Sequence, residues 1–230
     1  MTQEPEVVLV EGTDLHLSFG ETPALDGVSI GVAAGETVAI LGPSGSGKST
    51  LLLCLAGILL PDAGVVRYRG RSLAELGDGA RTRLRRDDFG FVFQFGQLVP
   101  ELTALDNVSL PLRLAGLSRG RAIERARRWL ERLDVASVAD HRAGEMSGGQ
   151  SQRVAVARAL VAEPRIVFAD EPTGSLDSLN GERVMELLVG SARDEGTSVV
   201  LVTHEPQVAA YADREVVLRD GRVVHEAALV

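Results

Sequence analysis

Eight residues constrain this chain more than any other stretch: Gly42-Pro43-Ser44-Gly45-Ser46-Gly47-Lys48-Ser49. They fit the pattern G-x-x-x-x-G-K-[ST]. They lie between a short apolar run, Thr37 to Leu41, and a longer one, Ser49 to Ile58. The first run is expected to form a buried strand and the second a helix. A strand that passes through a glycine-rich loop into a helix belongs to α/β architectures with a mainly parallel sheet. The residue types have a chemical reason. Glycines let backbone N–H groups wrap a phosphate chain, and the helix start that follows adds positive potential. Lys48 is expected to reach the terminal phosphates, and the hydroxyl of Ser49, followed by Thr50, to face a divalent cation.

Composition sharpens this reading. Lysine and arginine together number 24, and Lys48 is the only lysine. A chain that uses arginine everywhere else has kept the compact ammonium at one position, which points to a chemical requirement. The net charge is −8, which argues against a nucleic-acid partner. Cys54 is the only cysteine, so no internal disulfide forms and a reducing compartment is expected. Met1 to Val10 has two glutamates and no basic residue, unlike a secretory signal. The longest apolar stretch, Leu51 to Leu60, is about half of what a membrane-spanning helix needs.

Around the glycine-rich loop the pattern alternates. Val7 to Phe19 and Val28 to Val32 read as strands of an N-terminal antiparallel sheet. Val65 to Tyr68 and Phe89 to Phe93 read as further strands. Leu105 to Val161 turns helical, with Ile123, Ala126, Leu130 and Leu133 on one face. Ile166 to Ala169 is a strand, Asn180 to Arg193 a helix, Val199 to Thr203 a strand, and Glu215 to Arg219 with Val223-Val224 a closing hairpin. Arg81, Arg83, Arg85 and Arg86 form a basic run that reads as a solvated face. No linker divides the chain, so residues 1–230 are expected to form a single domain. A helical subdomain, about residues 95–163, is inserted in its core.

A second constellation follows the strand at Ile166. Asp170 and Glu171 stand at its carboxyl end, where ligands bind in open α/β sheets. Asp170 is placed to meet Mg²⁺ directly or through water, and Glu171 to orient or deprotonate an attacking water. Met146-Ser147-Gly148-Gly149-Gln150 then precedes a helix from about Ser151 to Val161, an anion site by its position.

Together these motifs resemble the ATP-binding-cassette (ABC) ATPases, and the resemblance covers nearly the whole chain. It implies a P-loop NTPase core with an N-terminal antiparallel β subdomain and an inserted α-helical subdomain. It implies ATP and Mg²⁺ as ligands, bound by Gly42, Pro43, Ser44, Gly45, Ser46, Gly47, Lys48, Ser49 and Thr50. In the family, Ser147, Gly148, Gly149 and Gln150 meet the γ-phosphate held by the opposite subunit, so two copies close an ATP-sandwich dimer head to tail. Gln94 matches the glutamine that touches Mg²⁺ or its water and senses the membrane partner. Asp177, in Ser175-Leu176-Asp177, matches the segment that crosses the dimer interface. His204 matches the histidine on the γ-phosphate. Phe19 stands where the family puts an aromatic on adenine; a core aromatic is an equal reading. Met146 replaces the family's leucine, a swap close in volume.

One branch of the family fits best. Phe93-Gln94, Leu98-Val99-Pro100, Leu102-Thr103, Asn107-Val108 and Pro111-Leu112 resemble the lipoprotein-release, macrolide-export and cell-division ATPases, as does Asp170 through Asp177. Gly174 stands where polar amino-acid importers more often have serine. Ser151 departs from a glutamine common in the branch. The resemblance implies a transport-coupled ATP hydrolase on the inner face of the cell membrane, cytoplasmic and peripheral. Its partner would be an integral membrane permease contacted near Gln94. The alternatives are the ATPase of a solute importer, a soluble cassette ATPase outside transport, and a nucleotide-gated subunit without catalysis. Intact Glu171 and His204 count against the last.

Overall fold

The computed structural model describes residues 8–229. Val7, the first residue of the expected N-terminal strand, lies outside the described residues. The chain forms two compact units, Met1–Arg83 with Ser198–Val230, and Leu84–Thr197.

In the first unit β1 (Val8–Phe19) and β2 (Thr22–Ala33) form an antiparallel hairpin. Their two-residue period buries Leu15 and Leu17 on one strand and Val28, Ile30 and Val32 on the other. β2 begins six residues earlier than the apolar pattern from Val28 indicates, because register with β1 carries pairing on to Phe19 and Thr22. β3 (Thr37–Leu41) is buried from Thr37 to Ile40, and α1 (Lys48–Leu55) follows the glycine-rich loop. β3 is apolar and covered on both faces, and α1 is apolar from Leu51 to Leu55 after a polar first turn, Lys48 to Thr50. β4 (Ala63–Tyr68) pairs antiparallel with β1, and β5 (Arg71–Ser72) pairs with β4. The order of this sheet is β2-β1-β4-β5.

The stretch Asp78–Asp87 is a helix, α2, where the sequence shows only a basic run. Its four arginines do not share one solvated face. Arg81 turns inward, 14% exposed, and donates to the Leu76 carbonyl at 2.7 Å and to Asp78.

The second unit contains β6 (Phe89–Phe93), then α3 (Ala104–Leu114), α4 (Arg119–Arg132) and α5 (Gly148–Leu160), then β7 (Ile166–Asp170) and α6 (Ser178–Asp194). β6 and β7 are parallel. Phe168 is fully buried, edge-on to Phe89 at 5.3 Å and stacked on Phe91 at 5.7 Å. On α4 the inner face is Ala122, Ala126, Trp129 and Leu130, continued by Leu133. Ile123, expected on that face, is only partly buried. Thr103 caps α3, its hydroxyl accepting from Asp106 N at 3.1 Å. Asn107, fully buried, holds the chain before α3 by bonds to Val99, Leu102 and Thr103.

The chain then completes the first unit with β8 (Ser198–Thr203), the short α7 (Pro206–Ala209), β9 (Arg214–Arg219) and β10 (Arg222–Ala228). β3 lies between β8 and β9 and is parallel to both, while β10 returns antiparallel to β9. Arg214 ties this sheet to the turn before β3, donating to Glu36 at 2.7 Å. Among the described residues no helix is long and apolar enough to cross a membrane.

Candidate nucleotide site

In the first unit, parallel pairing aligns Leu41 with Thr203. Gly42 and His204 therefore leave neighbouring strands at the same, carboxyl, end. Gly42, Gly45 and Gly47 all have positive φ, and Gly47, at +98°, is the N-cap of α1. A Cβ on Gly47 would lie 2.2 Å from the Ala24 carbonyl oxygen, and one on Gly42 would lie 2.1 Å from that of Leu218. Only glycine lets the loop pass this close to two other backbones.

Lys48 is 7% exposed, and its Nζ donates to the carbonyls of Gly42 at 2.8 Å and Pro43 at 2.9 Å. A nearly buried ammonium is costly unless an anion approaches it, so the loop fits a phosphate chain. Ser46, 3% exposed, has a buried hydroxyl oxygen with no hydrogen-bond partner, a second polar group suited to a polar guest. A cleft of about 280 Å³ opens beside the loop, lined by Phe19, Thr22, Pro23, Ala24, Gly45, Gly47, Lys48, Ser49 and Thr50. Phe19 is 58% exposed, which excludes the core reading and leaves its ring on the cleft wall. Pro43 and Ser44 are both exposed at the loop's outer edge, and His204 is exposed after β8.

The C-terminal hairpin braces this loop, a feature with no sequence signal. Gly221 N donates to the Ser46 carbonyl at 3.1 Å, and Asp26 N donates to the Gly221 carbonyl at 2.8 Å. Arg222 then grips Asp26 Oδ2 with Nε at 3.0 Å and Nη2 at 2.6 Å. That guanidinium holds the Asp26 carboxyl below its usual range. His16 joins from β1, with Nδ1 3.4 Å from Asp26 Oδ1 and Nε2 3.1 Å from Asp14 Oδ1.

In the second unit the same strand-end logic recurs. β6 and β7 pair Phe93 with Asp170, so Gln94 and Glu171 leave adjacent strands at one end. Glu171 has φ +46°, the left-handed region, which a non-glycine residue enters at a cost of about 1–3 kcal/mol. Such strain concentrates where function holds a side chain in place. The Ser175 hydroxyl donates to the Gln94 carbonyl at 2.9 Å, and a Cβ on Gly174 would meet Gln94 Nε2 at 2.9 Å.

Ser147 is the N-cap of α5. Its hydroxyl accepts from Gln150 N at 3.2 Å, while Gln150 Oε1 accepts from Ser147 N at 2.9 Å. This capping box is legible as S-x-x-Q. It leaves the Ser147 hydroxyl proton available to an anion, because a serine accepts and donates at once. Gly148 and Gly149 let the start of α5 lie against Leu176 and Asn180: a Cβ on Gly149 would be 2.6 Å from Asn180 Oδ1. Asp177 caps α6, accepting from Asn180 N at 3.0 Å and from its side-chain amide at 2.7 Å. Those two bonds lower its pKa.

The chain is similar to known proteins over most of its length. Residues 25–174 match the family model described as ABC transporter. The lipoprotein-releasing system ATP-binding protein LolD 2 of Caulobacter vibrioides is 46% identical over 204 residues, covering 89% of this chain and 90% of that protein. The LolD protein of Geobacter metallireducens is 45% identical over 220 residues, 94% of this chain and 98% of that one. The macrolide export ATP-binding/permease protein MacB of Marinobacter nauticus is 44% identical over 222 residues, 95% of this chain but 34% of that longer protein. A dimeric structure of the ATP-binding cassette MJ0796 in a post-hydrolysis state, bound to ADP and Pi, superposes with a TM-score of 0.89 at 40% identity, covering 96% of this chain and 99% of that one.

Proposed function

Because the chain belongs to the ABC transporter family and is an ATP-hydrolysing subunit of the LolD/MacB type, we propose a role for each residue of its site and a membrane protein as what it drives. Lys48 carries the proposal. It is the chain's only lysine, and it is nearly buried at the end of a loop built to wrap phosphate.

In this reading Gly42 to Thr50 bind the triphosphate, with Lys48 on its terminal phosphates and Phe19 against the adenine. Ser49, Asp170 and Gln94 would hold Mg²⁺, the ion that neutralises phosphate charge in such reactions. Glu171 positions the attacking water and takes its proton. His204 faces the γ-phosphate. Ser147, with the N–H groups of Gly148 and Gly149 and the side chain of Gln150, offers a helix start to the nucleotide of a second copy, and Asp177 lies at the boundary between copies. The solved relative is dimeric, which supports this stoichiometry. The membrane partner is a permease contacted next to Gln94, where Phe95 is 72% exposed. The relatives' names support release of lipoproteins or export of macrolides, and the cytoplasmic face of the inner membrane as its place belongs to the same proposal. The single-domain organisation, with helices α3 to α5 as an insertion, belongs to the same proposal.

The test uses Glu171→Gln. It should bind ATP as the parent does, lose turnover by on the order of 10²-fold or more, and accumulate as a dimer with ATP and Mg²⁺. Tagged and trapped in that state, it should recover a permease with few spanning helices from detergent-solubilised membranes. Parental turnover by this variant would remove Glu171 from the role. Recovery of a many-helix permease with a solute-binding protein would move the reading to an importer.

A further inference from the structure

The loop after β6 is held by a residue outside every motif described above. Gln94 to Gln97 make a tight turn in which Gly96 N donates to the Phe93 carbonyl at 2.9 Å and Gln97 N to the Phe95 carbonyl at 2.7 Å. Gly96 and Gln97 both have positive φ, +66° and +44°. For Gln97 this is a conformation that side chains rarely adopt, and one that something else must maintain.

Two side chains of α5 supply it. Gln152, 2% exposed, donates through Nε2 to the Phe93 carbonyl at 2.9 Å. Arg158 donates through Nη2 to the Gly96 carbonyl at 2.7 Å and through Nη1 to the Gln97 carbonyl at 2.8 Å. Gly96 lies so close to α5 that a Cβ there would be 3.3 Å from the Ser151 carbonyl. On the other side the Ser175 hydroxyl holds the Gln94 carbonyl.

The choice of arginine is informative. Burial pushes the Arg158 pKa down, so the charge is held there against a desolvation cost. An apolar side chain would fill the space more cheaply if filling space were the task. What arginine alone adds is a rigid fork that meets two successive carbonyls at once; lysine presents a single point of charge.

We propose that Arg158 is a positioning residue for hydrolysis: by clamping the Gly96 and Gln97 carbonyls to α5, it sets where the Gln94 amide stands. The proposal rests on the role given to Gln94 above. The two guanidinium bonds of Arg158 go to backbone carbonyls of the loop, so it acts through the loop.

A double-mutant cycle on the full chain tests it, with kcat and KM for Mg-ATP and the unfolding midpoint read for each variant. Arg158→Lys should lower kcat about tenfold with KM within about twofold, because the guanidinium fork serves the reacting geometry and not nucleotide binding. In a Gln94→Ala background the same substitution should change kcat by less than about twofold, since the group it positions is gone. Should Arg158→Lys fail to fold, Gln152→Met, which removes only the bond to Phe93, should lower kcat about threefold, and this loss should vanish with Gln94→Ala. Parental kcat in Arg158→Lys overturns the proposal. So does an equal loss in both backgrounds, the mark of a purely structural role, while a slow Gln94→Ala leaves the Gln94 reading standing. If Gln94→Ala itself turns over at the parental rate, the role of Gln94 fails and this proposal falls with it.

Discussion

Replacing Gly47 by alanine isolates what close backbone approach does for the phosphate loop. The new Cβ would stand 2.2 Å from the Ala24 carbonyl oxygen and 3.3 Å from Leu25 Cδ2. Restoring ordinary van der Waals separation from that oxygen requires about 1 Å of movement. Because Ala24 belongs to a β strand and Gly47 opens a helix, neither yields freely. The shift falls on the loop or on the wall of the cleft beside it. Misplacing a positioning element by about 1 Å costs on the order of 10²-fold in rate. The expectation is therefore a fall in kcat/KM for ATP of about 10²-fold, or about 2.7 kcal/mol. Positive φ adds about 1–2 kcal/mol of strain in the folded state. Gly70→Ala is the control. Its φ is +76° and nothing lies within 4 Å of the added Cβ, so it carries the strain without the clash. It should lower the urea midpoint while kcat/KM stays parental. A Gly47→Ala protein within about threefold of the parent in kcat/KM would refute the argument. Equal losses in the two variants would refute it as well, by making strain the whole effect.

Four more outcomes follow from the same geometry. Phe168→Ala removes a fully buried ring packed on Phe89 and Phe91, and should cost about 3–5 kcal/mol in urea unfolding with an unchanged slope. Burial raises the Cys54 thiol from 9.0 to about 11, so the folded protein should react very slowly with a thiol reagent at pH 8, where only about one thiol in a thousand is ionised. The folded state binds this proton more tightly than the unfolded state. The stability difference between the parent and Cys54→Ala should therefore be complete below pH 9.0 and shrink as pH rises through about 11; a constant difference over that window would count against the shift. Gly174→Ser places a side chain against the flexible end of Gln94, 2.9 Å from Nε2, so the unfolding midpoint should hold while kcat falls; an unchanged kcat would show that Gln94 tolerates displacement.

How much of this is visible in the sequence depends on where each residue finds its partner. The loop from Gly42 to Ser49 is legible because its chemistry is local: glycines, one lysine and a helix start, all contiguous. The same holds for Ser147 and Asp177, whose caps close on residues three positions later. α2 escapes a reading by pattern because it has no fully buried residue, and so no apolar period marks it. β2 reads too short because Thr22 to Asp26 look like a turn-rich segment until pairing with β1 recruits them. The apolarity of Ile123 suggests the inner face of α4, but the neighbouring Ala122 takes that position. The braces are invisible for a different reason. Arg222 meets Asp26 from 196 residues away, and Arg158 meets carbonyls that any residue type at 96 and 97 would present.

The brace from the C-terminal hairpin has a consequence for how the protein is made. The loop that binds phosphate is complete in the chain by residue 49, yet Ser46 is held by Gly221, 175 residues later (221 − 46). At roughly 5–20 residues per second, synthesis takes about 10–35 s to supply that turn. During that interval the nascent chain has the glycine-rich segment without its support, so ATP cannot act as a folding ligand until the turn at Gly221 has been made. A truncation just after Arg219, which keeps β9 beside β3, should consequently lose nucleotide affinity although every residue of the loop is present.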